Sequence, residues 1–303
     1  MSALERLAAE MKAVGEVRRD EPLSRHTTFG IGGPADLFVT VRDATALARA
    51  ATAAREAGVD LFVLGSGSNI LVADSGIRGA VLDNRSAAEH DQGDGRFRIE
   101  SGVSFAAFAR RMCRLGLDGL AWAAGIPGTL GGAVVYNAGA YGGCLADVLT
   151  RVRLLQPGGS DLWVDASDLG LVYRGSALTR RRLPGEAVLE CELSLTPGDP
   201  AALTARVAEF DRRRLSAQPR GRNAGSMFKN PPGIPAWKLI ETAGLRGARR
   251  GDAAISEKHC NFFVNEGAAS AADVAALVEE AERRVRETSG VTLEREVAFV
   301  GAW

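Results

Sequence analysis

The fold turns on the reading of one stretch, Val63-Leu64-Gly65-Ser66-Gly67-Ser68-Asn69-Ile70-Leu71-Val72-Ala73-Asp74. VDLFVLG (59–65) is apolar and closed by glycine, which reads as a buried strand. A Gly-Ser-Gly after a strand invites the dinucleotide fingerprint GxGxxG, but its third glycine would be Ile70. The next residues, ILVAD and then GIRGAVLD, read as strand again. The fingerprint needs a helix there, whose N-terminus takes the pyrophosphate. No GK[ST] follows, so a P-loop fails too. The Gly/Ser run still aims several backbone N–H and hydroxyl groups at one spot, a nest that suits a diphosphate. A tight turn after a strand is the plain alternative.

Working outward, residues 2–14 read as a short amphipathic helix and LFVTV (37–41) as a strand. Asp43 stands where an N-cap should, ahead of an alanine-rich helix over 44–57. With 59–65 this makes a strand–helix–strand crossover unit. FRIES (97–101), LTRVRLLQP (149–157), SDLWVDA (160–166) and AVLECELSL (187–195) read as strands, and 105–117 as a helix. The turn-rich TPGDPAAL (196–203) is the expected domain boundary. Helices are expected over 200–215, around 235–243 and over 271–287, the last opened by Ser270 and Asp273 in a near-capping box. NFFVN (261–265) reads as a strand, and VTLEREVAFVGAW (291–303) as a closing strand with Glu294 and Glu296 on one face.

Composition bounds the function. The 303 residues are 46% hydrophobic and 24% charged, which excludes disorder as the main state. Lys+Arg and Asp+Glu both number 37, so a whole-chain electrostatic grip on nucleic acid or an anionic membrane is not expected. No apolar run reaches the ~18 residues of a membrane span, and the charged N-terminus has no signal-peptide core. A cytoplasmic protein is expected, with Cys113, Cys144, Cys191 and Cys260 as free thiols. His26, His90 and His259 show no metal-ligand spacing, so no metal is expected. No obligate protein partner is inferred.

A second glycine loop, Gly125-Ile126-Pro127-Gly128-Thr129-Leu130-Gly131-Gly132-Ala133, cannot fill a core with side chains. It can let a flat ligand lie on the backbone. Asn137 and Tyr141 continue it as polar handles. One loop suited to phosphate and one to a planar ring point to a large nucleotide cofactor. In the second half, Tyr173-Arg174 and Asn223-Ala224-Gly225-Ser226-Met227-Phe228-Lys229-Asn230 gather polar groups. Ser226 lacks the GxSxG elbow, so a hydrogen-bonding turn residue is its plain reading. Arg174, taken without context, reads as a surface ion pair more often than not.

These motifs together resemble the MurB family, the UDP-N-acetylenolpyruvoylglucosamine reductases of peptidoglycan synthesis. The resemblance rests on HTTFGIGGPAD (26–36), LGSGSNILVAD (64–74), GIPGTLGGAVVYNAGAYGG (125–143), YRGS (173–176), NAGSMFKNP (223–231), AWKLIETAGL (236–245), SEKHCNFFVN (256–265) and LEREV (293–297), in the family's order. The length resembles the shorter, type II subfamily. The resemblance implies an α+β chain. A two-lobed FAD-binding domain of the vanillyl-alcohol-oxidase (PCMH) type would span 1–198, with lobes near 1–83 and 84–198. An α+β substrate domain would span 199–303. It implies that Gly65, Ser66, Gly67, Ser68 and Asn69 cradle the FAD pyrophosphate, and that Gly125, Ile126, Pro127, Gly128, Thr129, Gly132 and Ala133 line the flavin. NADPH is the implied reductant, Arg174, Ser226 and Glu296 the implied catalytic residues, and Tyr141, Lys229 and Asn230 the implied substrate contacts. A sister flavin oxidase would lack NAGSMFKNP and LEREV, and a flavin-binding module would show no turnover.

Overall fold

The strand Pro34–Val41 puts Ala35, Leu37, Phe38, Val39 and Val41 in the core, so both its faces are covered. Helix Ala44–Glu56 supplies one cover. The Asp43 carboxylate accepts from the Ala46 N–H at 2.7 Å and caps it, and Leu47, Ala50, Ala51 and Ala54 face inward. Strand Leu61–Leu64 comes next, but Ile77–Asn84 lies between it and Pro34–Val41 in a four-stranded sheet begun by Glu16–Pro22. Leu61–Leu64 and Ile77–Asn84 pair in parallel. The strand–helix–strand reading thus holds with one strand inserted. The edge strand EVRRDEP is too polar to have shown a period.

The computed structural model describes residues 2–181 and 185–303. Packing divides the chain into two units: Met1–Arg19, Asp36–Gly65 and Gly79–Arg213 in one, and Asp20–Ala35, Ser66–Arg78 and Arg214–Trp303 in the other. The turn-rich segment 196–203 suggests a single cut. The packing division falls instead inside helix Pro200–Ala217 and assigns two earlier stretches to the second unit. Hydrogen bonding explains this. Ile70–Val72 pairs in parallel with Ala298–Val300, and the Gly33 N–H donates to the Ala73 carbonyl at 2.9 Å.

The first unit also holds an antiparallel five-stranded sheet in the order Asp161–Asp165, Leu149–Leu155, Ala187–Ser194, Arg96–Glu100, Glu89–Gly93. Two-residue alternation sends Phe97, Ile99, Val152, Cys191 and Leu193 into a core with Phe105, Phe108, Met112 and Trp122. The opposite face carries cross-strand ion pairs, Arg151 bidentate on Glu192 and Arg153 on Glu190.

The second unit folds around the antiparallel sheet Arg222–Ser226, Phe262–Asn265, Ala253–Ile255, Arg249–Arg250, with helices Ala236–Thr242 and Ala271–Ser289 contributing to the same core. The long helix buries Val274, Leu277, Val278, Ala281 and Val285, the spacing of one helical stripe. Ser270 and Asp273 form its capping box, and Gly290 ends it at φ 71°. Asp74, from the end of the deciding stretch, accepts from the Ala271 and Ala272 N–H groups at 2.8 and 3.0 Å. That carboxylate is a helix cap, a role invisible in its own neighbourhood.

One expectation is corrected. Only Ala298–Val300 of the closing segment is a strand. Upstream, the backbone is tied to the chain after Ser226 by separate bonds: Lys229 N–H to Glu294 O and Glu296 N–H to Met227 O, both at 2.8 Å, with one bridge between Phe228 and Arg295. Glu294 and Glu296 therefore do not share a strand face by period.

Candidate active site

The two glycine loops meet at Gly65 and Thr129. A Cβ built on Gly65 would stand 2.5 Å from Thr129 Oγ1. Thr129 also caps helix Leu130–Tyr136, accepting from the Gly132 N–H at 3.4 Å. The two neighbouring glycines differ. A Cβ on Gly131 would press on Ser101, with Ser101 Cβ at 2.9 Å, so packing demands that glycine. Gly132 is exposed, and its Cβ would meet only Thr129 Oγ1 at 3.7 Å. Protein packing does not demand Gly132, whereas a flat ligand lying on the backbone would. The loop thus fits a flavin. Gly125, Ile126, Gly128 and Thr129 are half-buried and Pro127 is exposed, while Ala133 belongs to the core.

Helix Leu130–Tyr136 also carries the YRGS turn. The Ser176 hydroxyl donates to Val135 O at 2.6 Å. Asn137, left-handed at φ 44°, ends the helix; its Nδ2 donates to Val172 O and its Oδ1 accepts from the Ala146 N–H, both at 3.0 Å. Between these anchors Arg174 is held at φ 54°, a conformation costly for an arginine. Its guanidinium lies over the Tyr173 ring at 5.3 Å. Fixing a planar cation at the expense of backbone strain is a feature of functional sites. Tyr141 is half of an aromatic pair. Its ring stacks on Phe210 at 4.4 Å and its hydroxyl donates to Phe210 O at 3.2 Å.

The second unit assembles the other polar motifs. Gly67 has φ 63°, and a Cβ there would stand 2.2 Å from the His26 carbonyl oxygen. The Thr28 N–H donates to Gly67 O at 3.1 Å, and the Thr28 hydroxyl to Asn223 O at 2.7 Å. Ser66 donates to Ser68 at 3.2 Å between the two hydroxyls. Asn69 Nδ2 donates to Glu296 O at 3.1 Å across 227 positions of sequence, and Glu296 N–H reaches the residue after Ser226. Asn69, Ser226 and Glu296 are thereby neighbours. Ser226 is half-buried at the end of its strand, just after Gly225 at φ 79° and a register shift that begins at Asn223. Bulges of this kind re-aim side chains. Lys229 is ion-paired with Glu294. Asn230 Oδ1 accepts from the Ala236 N–H at 3.0 Å, at the start of a helix.

Gly67→Val tests the first loop. The left-handed backbone alone costs a side-chain-bearing residue about 1–2 kcal/mol, and the clash with His26 adds to it. The expected result is a lower melting temperature together with lost FAD retention, read by calorimetry and by flavin content after gel filtration. A variant as stable and as yellow as the parent would refute this reading of the loop.

His259 gives a pH dependence. Burial, with Arg246 nearby, pushes its pKa below the ordinary 6.5. Its Nδ1 also accepts from the Asn261 N–H at 3.3 Å, which requires an unprotonated nitrogen. Folding therefore favours the neutral ring. The associated stability is complete above the unfolded pKa of about 6.5 and is lost as pH falls through the lower folded value. In thermal melts, His259→Gln should flatten the stability loss below pH about 6.5 relative to the parent; identical slopes would exclude His259 as its source.

Residues 35–165 match the FAD binding domain family, and residues 217–300 match the family described as UDP-N-acetylenolpyruvoylglucosamine reductase, C-terminal domain. UDP-N-acetylenolpyruvoylglucosamine reductase 2 of Symbiobacterium thermophilum is 42% identical, over 98% of this chain and 96% of its own. The reductase of Geobacter metallireducens is 41% identical, over 98% and 97%. The crystal structure of the Thermus caldophilus enzyme superposes with a TM-score of 0.81 at 38% identity, covering 94% of this chain and 99% of that one. Berberine bridge enzyme, at 15% identity and a TM-score of 0.50, shares the fold over 66% of this chain. The chain is thus an FAD-dependent oxidoreductase with a PCMH-type flavin domain. The chain belongs to the UDP-N-acetylenolpyruvoylglucosamine reductase family.

Among the described residues, no helix is long and apolar enough to cross a membrane.

Proposed function

We propose that the chain uses NADPH to reduce the enolpyruvyl ether of UDP-N-acetylglucosamine to UDP-N-acetylmuramate, in the cytoplasm. The observation that carries this is Ser226 fixed beside Glu296 by the Glu296–Met227 hydrogen bond, within a chain whose first half is a flavin domain. The FAD domain would span 1–198 and the substrate domain 199–303.

When bound, FAD supplies the hydride, taken from NADPH and delivered from N5 to C3 of the enolpyruvyl group. Gly65–Asn69 would hold its pyrophosphate, and Gly125–Gly128, Thr129, Gly132 and Ala133 its ring system. Hydride addition at C3 sends an electron pair through C2 onto the carboxylate, leaving an enolate-like dianion. Arg174 meets that charge with a fork that is always protonated. Ser226 gives its hydroxyl proton to C2 and regains one from water. An alcohol is a weak acid, but a carbanion-like carbon is a strong base, so the transfer is downhill once geometry is right. Glu296 assists by carrying a proton or by organising a neighbour. Tyr141, Lys229 and Asn230 remain proposed substrate contacts. NADPH, one proton and the enol ether thus give NADP⁺ and the saturated lactyl ether.

The test is a steady-state assay with the enolpyruvyl nucleotide. One NADPH should disappear per molecule of product, and the product should have gained two hydrogens by mass. NADPH oxidation that ignores the nucleotide and yields no reduced ether would instead favour a sister flavin oxidase.

A further inference from the structure

A serine that donates a proton must sit within about 2.6–3.2 Å of the carbon-bound site it serves, and a misplacement of ~1 Å can cost ~10²-fold in rate. What places Ser226 is therefore part of the chemistry. The strand ladder does not do it alone, because the pairing of Arg222–Ser226 with Phe262–Asn265 shifts register between Asn223 and Ser226. Asn261 takes over where the ladder ends, just past the Ser226–Phe262 pair. Its Oδ1 accepts from the Phe228 N–H at 2.9 Å, and its Nδ2 donates to the Phe228 carbonyl at 2.8 Å. Its own carbonyl accepts from the Met227 N–H at 2.8 Å. Asn261 is 2% exposed, so these bonds form out of water, where a lost partner is costly. Both ends of one buried amide thus serve a single residue two positions after Ser226. The Met227 carbonyl, on the same clamped segment, receives the Glu296 N–H at 2.8 Å. On the far side, the Asn261 N–H leans on His259 Nδ1.

We propose that Asn261 is a positioning residue for the proton transfer at Ser226. It sets the direction of the serine hydroxyl through Met227 and Phe228 and does not touch substrate. This inference rests on the assignment of Ser226 as the proton donor.

The test uses FAD-loaded enzyme and follows both half-reactions separately in anaerobic stopped flow. Asn261→Leu keeps the branching and the heavy-atom count and removes the side-chain bonds. It should slow flavin reoxidation by the enolpyruvyl substrate ~10–10²-fold, leave reduction by NADPH nearly unchanged, and speed amide hydrogen exchange at Met227 and Phe228. Placed in a Ser226→Ala background, it should cost the second half-reaction nothing further, because both changes act on one group. Losses that multiply would show a role independent of Ser226 and overturn the proposal, as would equal slowing of both half-reactions. Asn261→Asp covers the case in which the leucine variant does not fold. Its carboxylate cannot donate to the Phe228 carbonyl, whereas its protonated form restores both bonds. Its reoxidation rate, relative to the parent's, should rise as pH falls, and a flat ratio counts against the clamp. Ser226→Ala that still reoxidises at the parent rate would remove the serine assignment and this inference with it. Collapse in Ser226→Ala beside parental rates in both Asn261 variants would remove this inference alone.

Discussion

Ser226→Ala is expected to bind FAD and accept hydride from NADPH almost as the parent does, yet to lose oxidation of the reduced flavin by the enolpyruvyl nucleotide. The loss should be at least the ~10²–10⁴-fold typical of a missing general acid. More can be lost, because without protonation at C2 the hydride addition runs backward. The hydroxyl belongs only to the second half-reaction, so the asymmetry between halves is the diagnostic. Ser226→Cys, a stronger acid of similar shape, should keep part of the rate. A serine that merely closes the turn before Phe228, itself 1% exposed in the core, would behave differently: alanine would lower stability or slow both halves alike. Rapid-mixing traces of flavin absorbance separate the two cases.

Arg174→Ala should be nearly as severe. A donor aimed at charge that develops only in the transition state contributes ~10²–10³-fold when removed singly, and Arg174 is the only cation assigned to the substrate carboxylate here. Arg174→Lys keeps the charge and loses the fork, so it should recover only part of the rate. Neither substitution relieves the left-handed backbone at position 174, which is set by the Ser176 and Asn137 anchors. Folding stability should accordingly change little, and the effect should appear in reoxidation. Single-turnover kinetics over a range of substrate concentrations would show it. A weaker apparent affinity with an unchanged limiting rate would make Arg174 a general substrate anchor instead.

Much of this was legible in the sequence because the signals were local. The Asp43 cap and the Ser270–Asp273 box announced their helices. The failed third glycine at Ile70 correctly turned the reading away from a Rossmann helix, and Ile70–Val72 is a strand. What was not legible depended on partners far along the chain. The closing segment looked like a continuous strand, but 294–297 bonds only intermittently to 227–229, so its alternation had no sheet to register against. Glu16–Pro22 is a strand held by its neighbours, with no apolar period of its own. Asp74 closes a run that reads as strand, yet it caps a helix nearly two hundred positions away. Asn261 lies within SEKHCNFFVN, where its sequence neighbours suggest no role. A lone amide inside an apolar run was the available signal, since a buried polar side chain must find partners.

The most direct test of the account is anaerobic double mixing of the parent enzyme. NADPH is added first and the enolpyruvyl ether of UDP-N-acetylglucosamine second, with the product identified at the end. The yellow flavin should bleach with NADPH, colour should return rapidly only when the nucleotide is added, and one equivalent of UDP-N-acetylmuramate should form per flavin reoxidised. Flavin that NADPH bleaches, but whose colour returns no faster with the nucleotide than without it and with no reduced ether formed, would contradict it.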